Sequence, residues 1–199
     1  MNLSRPTVFL DRDGTLIEEV GYIKDIKDIK FIGKAVESIK KLNEHNILVI
    51  LISNQSGIAR GYFKETDVEN INNRIKELLT EKDAYLDGIY YCPHHPDGIV
   101  KEFSKDCDCR KPKAGLIYQA LNDFQEIDLK KAYVIGDKAT DIELARNVGC
   151  KGILLKTGYG SEVIQGKYQN YTEPDYIADN IEGSVEWILK KLKDAIINK

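Results

Sequence analysis

Short apolar runs alternate along the chain with longer segments in which apolar residues recur at helical spacing. The runs predict buried strands over residues 7–10, 47–52, 87–91, 132–135, 152–156 and 176–178. The run at 47–52 is apolar throughout, which is typical of a parallel sheet covered by helices on both faces. The amphipathic segments predict helices over residues 34–46, 66–82, 115–124, 140–147 and 184–197.

This alternation predicts an α/β fold, a doubly wound, Rossmann-like parallel sheet with helices on both faces. With 199 residues, 42% of them hydrophobic, the chain can bury one substantial core but not two. We therefore expect residues 1–199 to form a single domain. A small flap at residues 19–22 and a loop insertion at about residues 92–109 are expected, with no large cap domain. Residues 157–174 are predicted to be irregular.

Charge and composition exclude several function classes. The net charge is −3 and no long run of Lys or Arg occurs, so we do not expect nucleic acid as a partner. No apolar stretch approaches the roughly 18 residues that a membrane span requires, and the first residues lack the pattern of a signal peptide. We expect a monomeric, cytoplasmic protein that acts on a small molecule.

Polar residues follow three of the predicted strands, and others lie in the polar loop. In a parallel sheet the carboxyl ends of the strands meet at one edge, where ligands bind. We therefore expect one site that combines carboxylates, a hydroxyl group and cations. Its candidates are Asp11 and Asp13 after the first strand, Ser53, Asn54 and Gln55 after the second, Asp137 and Asp141 after the fourth, and Arg110 and Lys111 from the loop.

The acidic residues predict a magnesium site. Asp11 and Asp137 would supply hard oxygen ligands, and Mg²⁺ typically takes one or two carboxylates and fills its other positions with water and phosphate oxygens. A phosphate held by the ion, Ser53 and Lys111 would lie against a carboxylate that can attack it. Asp13 could protonate the leaving oxygen and later activate water.

Four segments in order resemble the motifs of the haloacid dehalogenase superfamily phosphatases: FLDRDGT, ISNQSG, the lysine of CRKP, and VIGDKATD. Together with CPHH and CDCRKP they resemble the D-glycero-D-manno-heptose 1,7-bisphosphate 7-phosphatase family, a branch related to histidinol-phosphate phosphatase. The resemblance implies a magnesium-dependent phosphatase that forms an aspartyl-phosphate. The implied substrate is a sugar bisphosphate on the route to nucleotide-activated heptose for surface glycans.

The resemblance also implies roles for individual residues. Asp11 is the implied nucleophile and Asp13 the implied general acid and base. Asp11, the backbone carbonyl of Asp13, and Asp137 are implied to hold Mg²⁺, and Ser53 and Lys111 the phosphoryl group. The implied substrate contacts are Glu19, Val20, Gly21, Tyr22, Ser53, Asn54, Gln55, Ser56, Arg60, Arg110 and Lys138.

For two residues, Asp141 and Arg60, the sequence is also compatible with a simpler role. Asp141 is placed beside the metal as a supporting group, although an acidic residue there could serve only the dipole of the following helix. Arg60 is placed near a distal phosphate, although an exposed arginine without a specific role is the default for that residue type.

Three of the four cysteines fall in one polar loop together with two histidines. Clustered cysteines in a reducing compartment are more often metal ligands than disulfides. Cys92, His94, Cys107 and Cys109 have the spacing Cys-x-His and Cys-x-Cys, which predicts a closed, structural zinc site. His95 could replace His94 as a ligand, although the resemblance favours His94.

Other functions remain open at this point. Histidinol-phosphate phosphatase applies the same chemistry to a cationic substrate, whereas Arg110 favours an anionic or polyhydroxy one. A zinc-stabilised binding module without catalysis would be expected to lack the nucleophile or a metal ligand, and both are present. A phosphotransferase or mutase usually needs a larger cap to exclude water.

Overall fold

The computed structural model describes residues 4–168 and 172–197, without the side chain of Ile196. Within these ranges six strands form one sheet. They are β1 (Arg5–Leu10), β2 (Leu48–Asn54), β3 (Gly88–Cys92), β4 (Ile127–Gly136), β5 (Lys151–Leu155) and β6 (Tyr176–Ala178). All neighbouring strands are parallel, in the order β3-β2-β1-β4-β5-β6.

Helices cover both faces of this sheet. They are α1 (Ala35–Glu44), α2 (Glu65–Thr80), α3 (Gly115–Asp123), α4 (Ala139–Val148), α5 (Gly160–Ile164) and α6 (Ile181–Ile197), with a 3-10 turn at Ile26–Asp28. Leu10 packs on one face with residues of α1 and α6, whereas Phe9 packs on the other with residues of α3 and α4. Successive residues of β1 thus enter different halves of the core, which explains why Val8, Phe9 and Leu10 are all apolar. The doubly wound prediction is confirmed.

The register of the central strands aligns their carboxyl ends. Leu10 of β1 lies opposite Leu51 of β2 and Ile135 of β4. The backbone N–H of Asp11 then donates to the carbonyl oxygen of Ile135, 2.9 Å away. Residues that follow β1, β2 and β4 therefore reach the same edge of the sheet.

Two segments of the structure differ from the elements predicted from the sequence. Residues 157–174 were predicted to be irregular, but they contain the short helix α5; the part of that prediction on residues 169–171 lies outside the described residues. Strand β4 begins at Ile127, five residues before its predicted start. Asp128, Lys130 and Lys131 interrupt the apolar residues in this part of the strand, so no continuous apolar run marks it in the sequence. Every helix in the described ranges is too short or too polar to cross a membrane. No large cap domain is evident among the described residues.

Two glycine-to-alanine substitutions are expected to act in opposite directions. A Cβ on Gly160 would overlap the carbonyl oxygen of Leu155, so Gly160→Ala should lower the free energy of unfolding by about 1–3 kcal/mol. A Cβ on Gly183 of α6 would come no closer than 3.8 Å to another side chain. Gly183→Ala should therefore raise the stability by about 0.5–1 kcal/mol, because alanine loses less backbone entropy in a helix. Urea unfolding of both variants checks this, and equal effects would contradict it.

Candidate active site

Three buried carboxylates meet at the carboxyl edge of the sheet. Asp11 follows β1, Asp137 follows β4, and Asp141 lies in the first turn of α4. One oxygen of each lies within 4.8 Å of the others. All three side chains are almost fully buried. Three carboxylates this close repel each other in a dry environment, so the site needs cations.

Lys111 supplies one of these cations. Its Nζ lies 2.7 Å from Asp11 Oδ1 and 2.7 Å from Asp141 Oδ1. It also donates to the carbonyl oxygen of Ile52, 3.0 Å away. The backbone of Lys111 is itself held by Asn54, whose side chain accepts from Lys111 N–H (3.0 Å) and donates to its carbonyl oxygen (3.1 Å). The loop cation is thus tied to the end of β2.

The ionisation of the carboxylates follows from these contacts. Burial acts to raise the pKa of Asp11, but the charges of Lys111 and Lys138 and the hydrogen bonds to the carboxylate together outweigh it, and the pKa lies below the ordinary value. Burial raises the pKa of Asp137 to about 8, with a further contribution from the charges of Asp11 and Asp141. Asp137 Oδ1 is buried and has no hydrogen-bond partner among the described residues. An unpartnered buried carboxylate oxygen beside two other carboxylates suits a divalent cation.

Asp141 differs from Asp137 in how closely a lysine approaches its Oδ1 atom. Lys111 Nζ lies 2.7 Å from Asp141 Oδ1, whereas Lys138 Nζ lies 4.0 Å from Asp137 Oδ1, although neither oxygen has a hydrogen bond of acceptable geometry among the described residues. Asp141 Oδ2 accepts from the backbone N–H of Lys138, 3.1 Å away. Asp137 Oδ2 accepts from the N–H of Tyr159, 2.8 Å away, which leaves its other oxygen available. This difference fits a supporting place for Asp141 beside the metal.

Asp13 lies apart from this acidic group. Its Oδ2 accepts from the side chain of Gln55 at 2.9 Å and from Arg12 Nε at 3.1 Å. Gln55 also donates to Ser53 Oγ, 3.2 Å away. Asp13 and Ser53 are therefore linked through one amide.

A cleft of about 670 Å³ opens above these groups. The predicted substrate contacts that line it are Glu19, Gly21, Tyr22, Asn54, Gln55, Ser56, Arg60, Arg110 and Lys138. Val20 is on the flap but does not line the cleft, and half of its side chain is exposed. Ser53, Lys111 and the three carboxylates of the acidic group are buried rather than lining it.

The cleft has two distinct charged regions. Lys138 lies 3.1 Å from Glu19 and over the ring of Tyr159. On the other side, Arg60 Nη2 lies 3.1 Å from His95 Nε2, and Arg110 donates to the carbonyl oxygen of His94 at 3.3 Å. Neither guanidinium forms an ion pair with a carboxylate of the described residues. This second region is suited to an anion.

Several residues at the site were missed by sequence reasoning. Arg12 is buried at the floor, and its position between Asp11 and Asp13 directly after an apolar strand is a signal that could have been used. Tyr159, Val163 and Tyr168 line the cleft from the segment predicted to be irregular. Their sequence has no motif or periodicity that would have placed them there.

The polar loop brings together Cys92, His94, Cys107 and Cys109. The Sγ atom of Cys92 lies 3.1 Å from that of Cys109 and 3.5 Å from that of Cys107, and His94 Nδ1 lies 3.3 Å from Cys109 Sγ. A disulfide would need about 2.05 Å, whereas tetrahedral zinc with bonds of about 2.3 Å separates its sulfur ligands by roughly 3.8 Å. The four side chains could therefore hold zinc. His95 lies outside the group and faces Arg60.

The parallel sheet with its acidic edge and buried lysine defines a haloacid-dehalogenase-like hydrolase, and a family model described as HAD-hydrolase-like matches residues 108–184. The chain is 43% identical over 194 residues to the D-glycero-D-manno-heptose-1,7-bisphosphate 7-phosphatase of Thermosynechococcus vestitus, covering 96% of this chain and 98% of the relative. It is 38% identical over 196 residues to the D-glycero-beta-D-manno-heptose-1,7-bisphosphate 7-phosphatase of Escherichia coli K12, covering 98% and 93%. The chain belongs to this heptose bisphosphate phosphatase family.

A solved structure agrees with the family. The D,D-heptose 1,7-bisphosphate phosphatase of B. bronchiseptica, complexed with magnesium and phosphate, superposes with a TM-score of 0.82 at 26% identity. The match covers 93% of this chain and 98% of that one. The resemblance drawn from the motifs is confirmed, and the chain is a phosphoric monoester hydrolase.

In magnesium-free protein, folding stability should fall as the pH rises from about 4 to about 8. An unfolded aspartate titrates near 3.8, but the pKa of Asp137 is raised to about 8 in the folded chain. The folded state therefore binds the extra proton in this window, and that advantage is lost as the pH rises. Asp137→Asn has no such proton, so its urea midpoint should depend less steeply on pH. A wild-type slope no steeper than that of the variant would contradict the assignment.

Proposed function

We propose that this enzyme removes the 7-phosphate of D-glycero-D-manno-heptose 1,7-bisphosphate through a phosphate ester of Asp11. The observation that carries the proposal is the ion pair between Asp11 and Lys111 at the floor of the cleft. It keeps the carboxylate ionised, and therefore nucleophilic, despite its burial. The names of the relatives support the substrate.

In the first step an oxygen of Asp11 bonds to phosphorus as the bond from phosphorus to the sugar O7 breaks. Asp13 gives its proton to that leaving oxygen. In the second step Asp13 takes a proton from water, the water oxygen bonds to phosphorus, and the bond to Asp11 breaks to release phosphate. Lys111 and Ser53 hold the phosphoryl group, and the lysine offsets its charge.

Asp11, the backbone carbonyl of Asp13, and Asp137 would hold Mg²⁺. When bound, the ion offsets charge on the carboxylates and on the phosphoryl group. Asp141 supports this site indirectly, because it fixes Lys111 and accepts from the backbone N–H that follows Asp137.

The sugar and its second phosphate would occupy the cleft. Arg60 and Arg110 form the end of the cleft that would bind the second phosphate, since both line the cleft and neither has a carboxylate partner in the described part of the chain. Glu19 and Lys138 lie on the other side, where their charges suit hydroxyl groups. Histidinol phosphate, the alternative substrate, would place its own cation in a cleft that already holds these guanidinium groups.

The cysteine and histidine ligands would hold a structural zinc ion, with no open position for water. Arg110 and Lys111 directly follow the ligand Cys109, so the ion would fix two cations of the site. We further propose that the enzyme works as a monomer in the cytoplasm, where thiols stay reduced.

Initial rates with the purified enzyme and Mg²⁺ test the substrate. Heptose 1,7-bisphosphate should be hydrolysed with a kcat/KM at least about 100-fold above that for histidinol phosphate, because a site built for an anionic group rejects one that lacks it. Arg60→Met should narrow this ratio and leave hydrolysis of simple monophosphates largely intact. A preference for histidinol phosphate would overturn the substrate assignment.

Asp11→Asn should reduce turnover by about 10⁴-fold or more, since the amide cannot form the phosphate ester. The change is nearly isosteric, so circular dichroism should report an intact fold. Turnover near the wild-type level would overturn the role of Asp11.

Cys107→Ser should lose the bound zinc, as measured by elemental analysis of the purified protein. Its activity should fall while the far-ultraviolet spectrum of the sheet and helices is kept, because the loop cations lose their support. Cys150→Ser is the matched control, since Cys150 lies outside the ligand group and should keep a full zinc content. Stoichiometric zinc in Cys107→Ser would refute the ligand set.

A further inference from the structure

Arg12 is the largest of the fully buried side chains, with 1% of its surface exposed. A buried guanidinium is costly unless its N–H groups are matched by acceptors. The reaction scheme above gives this residue no task. The contacts of Arg12 identify the acceptors for its N–H groups.

The guanidinium of Arg12 bridges a helix and the general acid. Its Nε lies 3.2 and 3.1 Å from the two oxygens of Asp13, and Nη2 donates to Gln55 Oε1 at 2.8 Å. On the far side, Nη1 donates to Asn72 Oδ1 at 3.1 Å. Asn72 is a buried residue of α2 and does not line the cleft. Among the described residues, the hydrogen bond from Arg12 is the only one shown for the Asn72 side chain.

Arg12 also fixes the orientation of Gln55. A guanidinium has no acceptor, so the amide oxygen of Gln55 must face it. The amide nitrogen is then turned to Asp13 and to Ser53, the two groups that it reaches at 2.9 and 3.2 Å. Asp13 is thus held directly by Arg12 and again through Gln55.

We propose that Arg12, anchored by Asn72, is a positioning residue that holds the Asp13 carboxylate where it can protonate the leaving oxygen. The inference rests on the role proposed above for Asp13. Asn72 fixes the position of the planar guanidinium of Arg12, and the guanidinium in turn fixes the carboxylate of Asp13. The packing of α2 thereby affects proton transfer by Asp13 without direct contact with the substrate.

The test compares two substrates that differ in their need for an acid. The sugar phosphate leaves as an alcohol and needs a proton, whereas p-nitrophenolate leaves without one. Asn72→Ala should lower kcat/KM for heptose bisphosphate about tenfold, since small misplacements of a catalytic group are costly. For p-nitrophenyl phosphate the loss should stay below about threefold. Asn72→Asp keeps the acceptor and should restore most of the sugar phosphate activity.

Arg12→Lys is the second variant, because it keeps the charge but loses the fork. Its kcat/KM should also fall more for heptose bisphosphate than for p-nitrophenyl phosphate. The fall for heptose bisphosphate should exceed that of Asn72→Ala. Equal losses on both substrates, or none, in the two variants would overturn the proposal.

Asn43→Ala is the structural control. Asn43 lies in the last turn of α1 and does not line the cleft, and its side chain accepts from the backbone N–H of Tyr85 at 2.9 Å and donates to its carbonyl oxygen at 3.2 Å. This variant should lose stability but keep kcat/KM for both substrates. Asp13→Asn separates the catalytic role of Asp13 from the positioning role of Arg12: if this variant keeps sugar phosphate activity, Asp13 is not the general acid. If it abolishes that activity while Asn72→Ala changes nothing, only the positioning role has failed.

Discussion

The site depends on one buried lysine shared by two buried carboxylates. Lys111 joins a loop to residues that follow β1 and begin α4, so three separate parts of the chain meet at one Nζ. Removing one partner of a buried ion pair typically costs about 3–5 kcal/mol, because a charge is left uncompensated. The same contact lowers the pKa of Asp11 and helps to keep it ionised, whereas burial raises the pKa of Asp137. Folding and reactivity thus rest on the same interaction.

The zinc-ligand loop extends this arrangement outward. Its thiol and imidazole groups lie close enough to share an ion, and the chain passes directly from Cys109 to Arg110 and Lys111. Lys111 points down to the acidic group, whereas Arg110 lines the cleft. One short segment therefore carries a cation for the reacting phosphate and, in our proposal, another for the distal one. The loop and the cleft are best understood as one unit.

The sequence predicted the fold and the acidic edge well because both have local signals. Buried parallel strands are apolar throughout, and the polar residues that follow them are easy to place at one edge. The network of Arg12 could not be predicted, since Asn72 lies sixty positions away and only packing of α2 brings it near. Tyr159 and Tyr168 were missed because they flank α5, a helix of five residues that is too short to give a periodic signal. Long-range packing, rather than local preference, decided these positions.

Attack of the ionised Asp11 on phosphorus is the step on which the whole proposed mechanism depends. Acid quenching during turnover, followed by borohydride reduction and peptide mapping, tests it most directly, because reduction converts an aspartyl-phosphate to homoserine. Homoserine is expected at position 11 of the wild-type chain. Homoserine at position 13, 137 or 141 instead would contradict it.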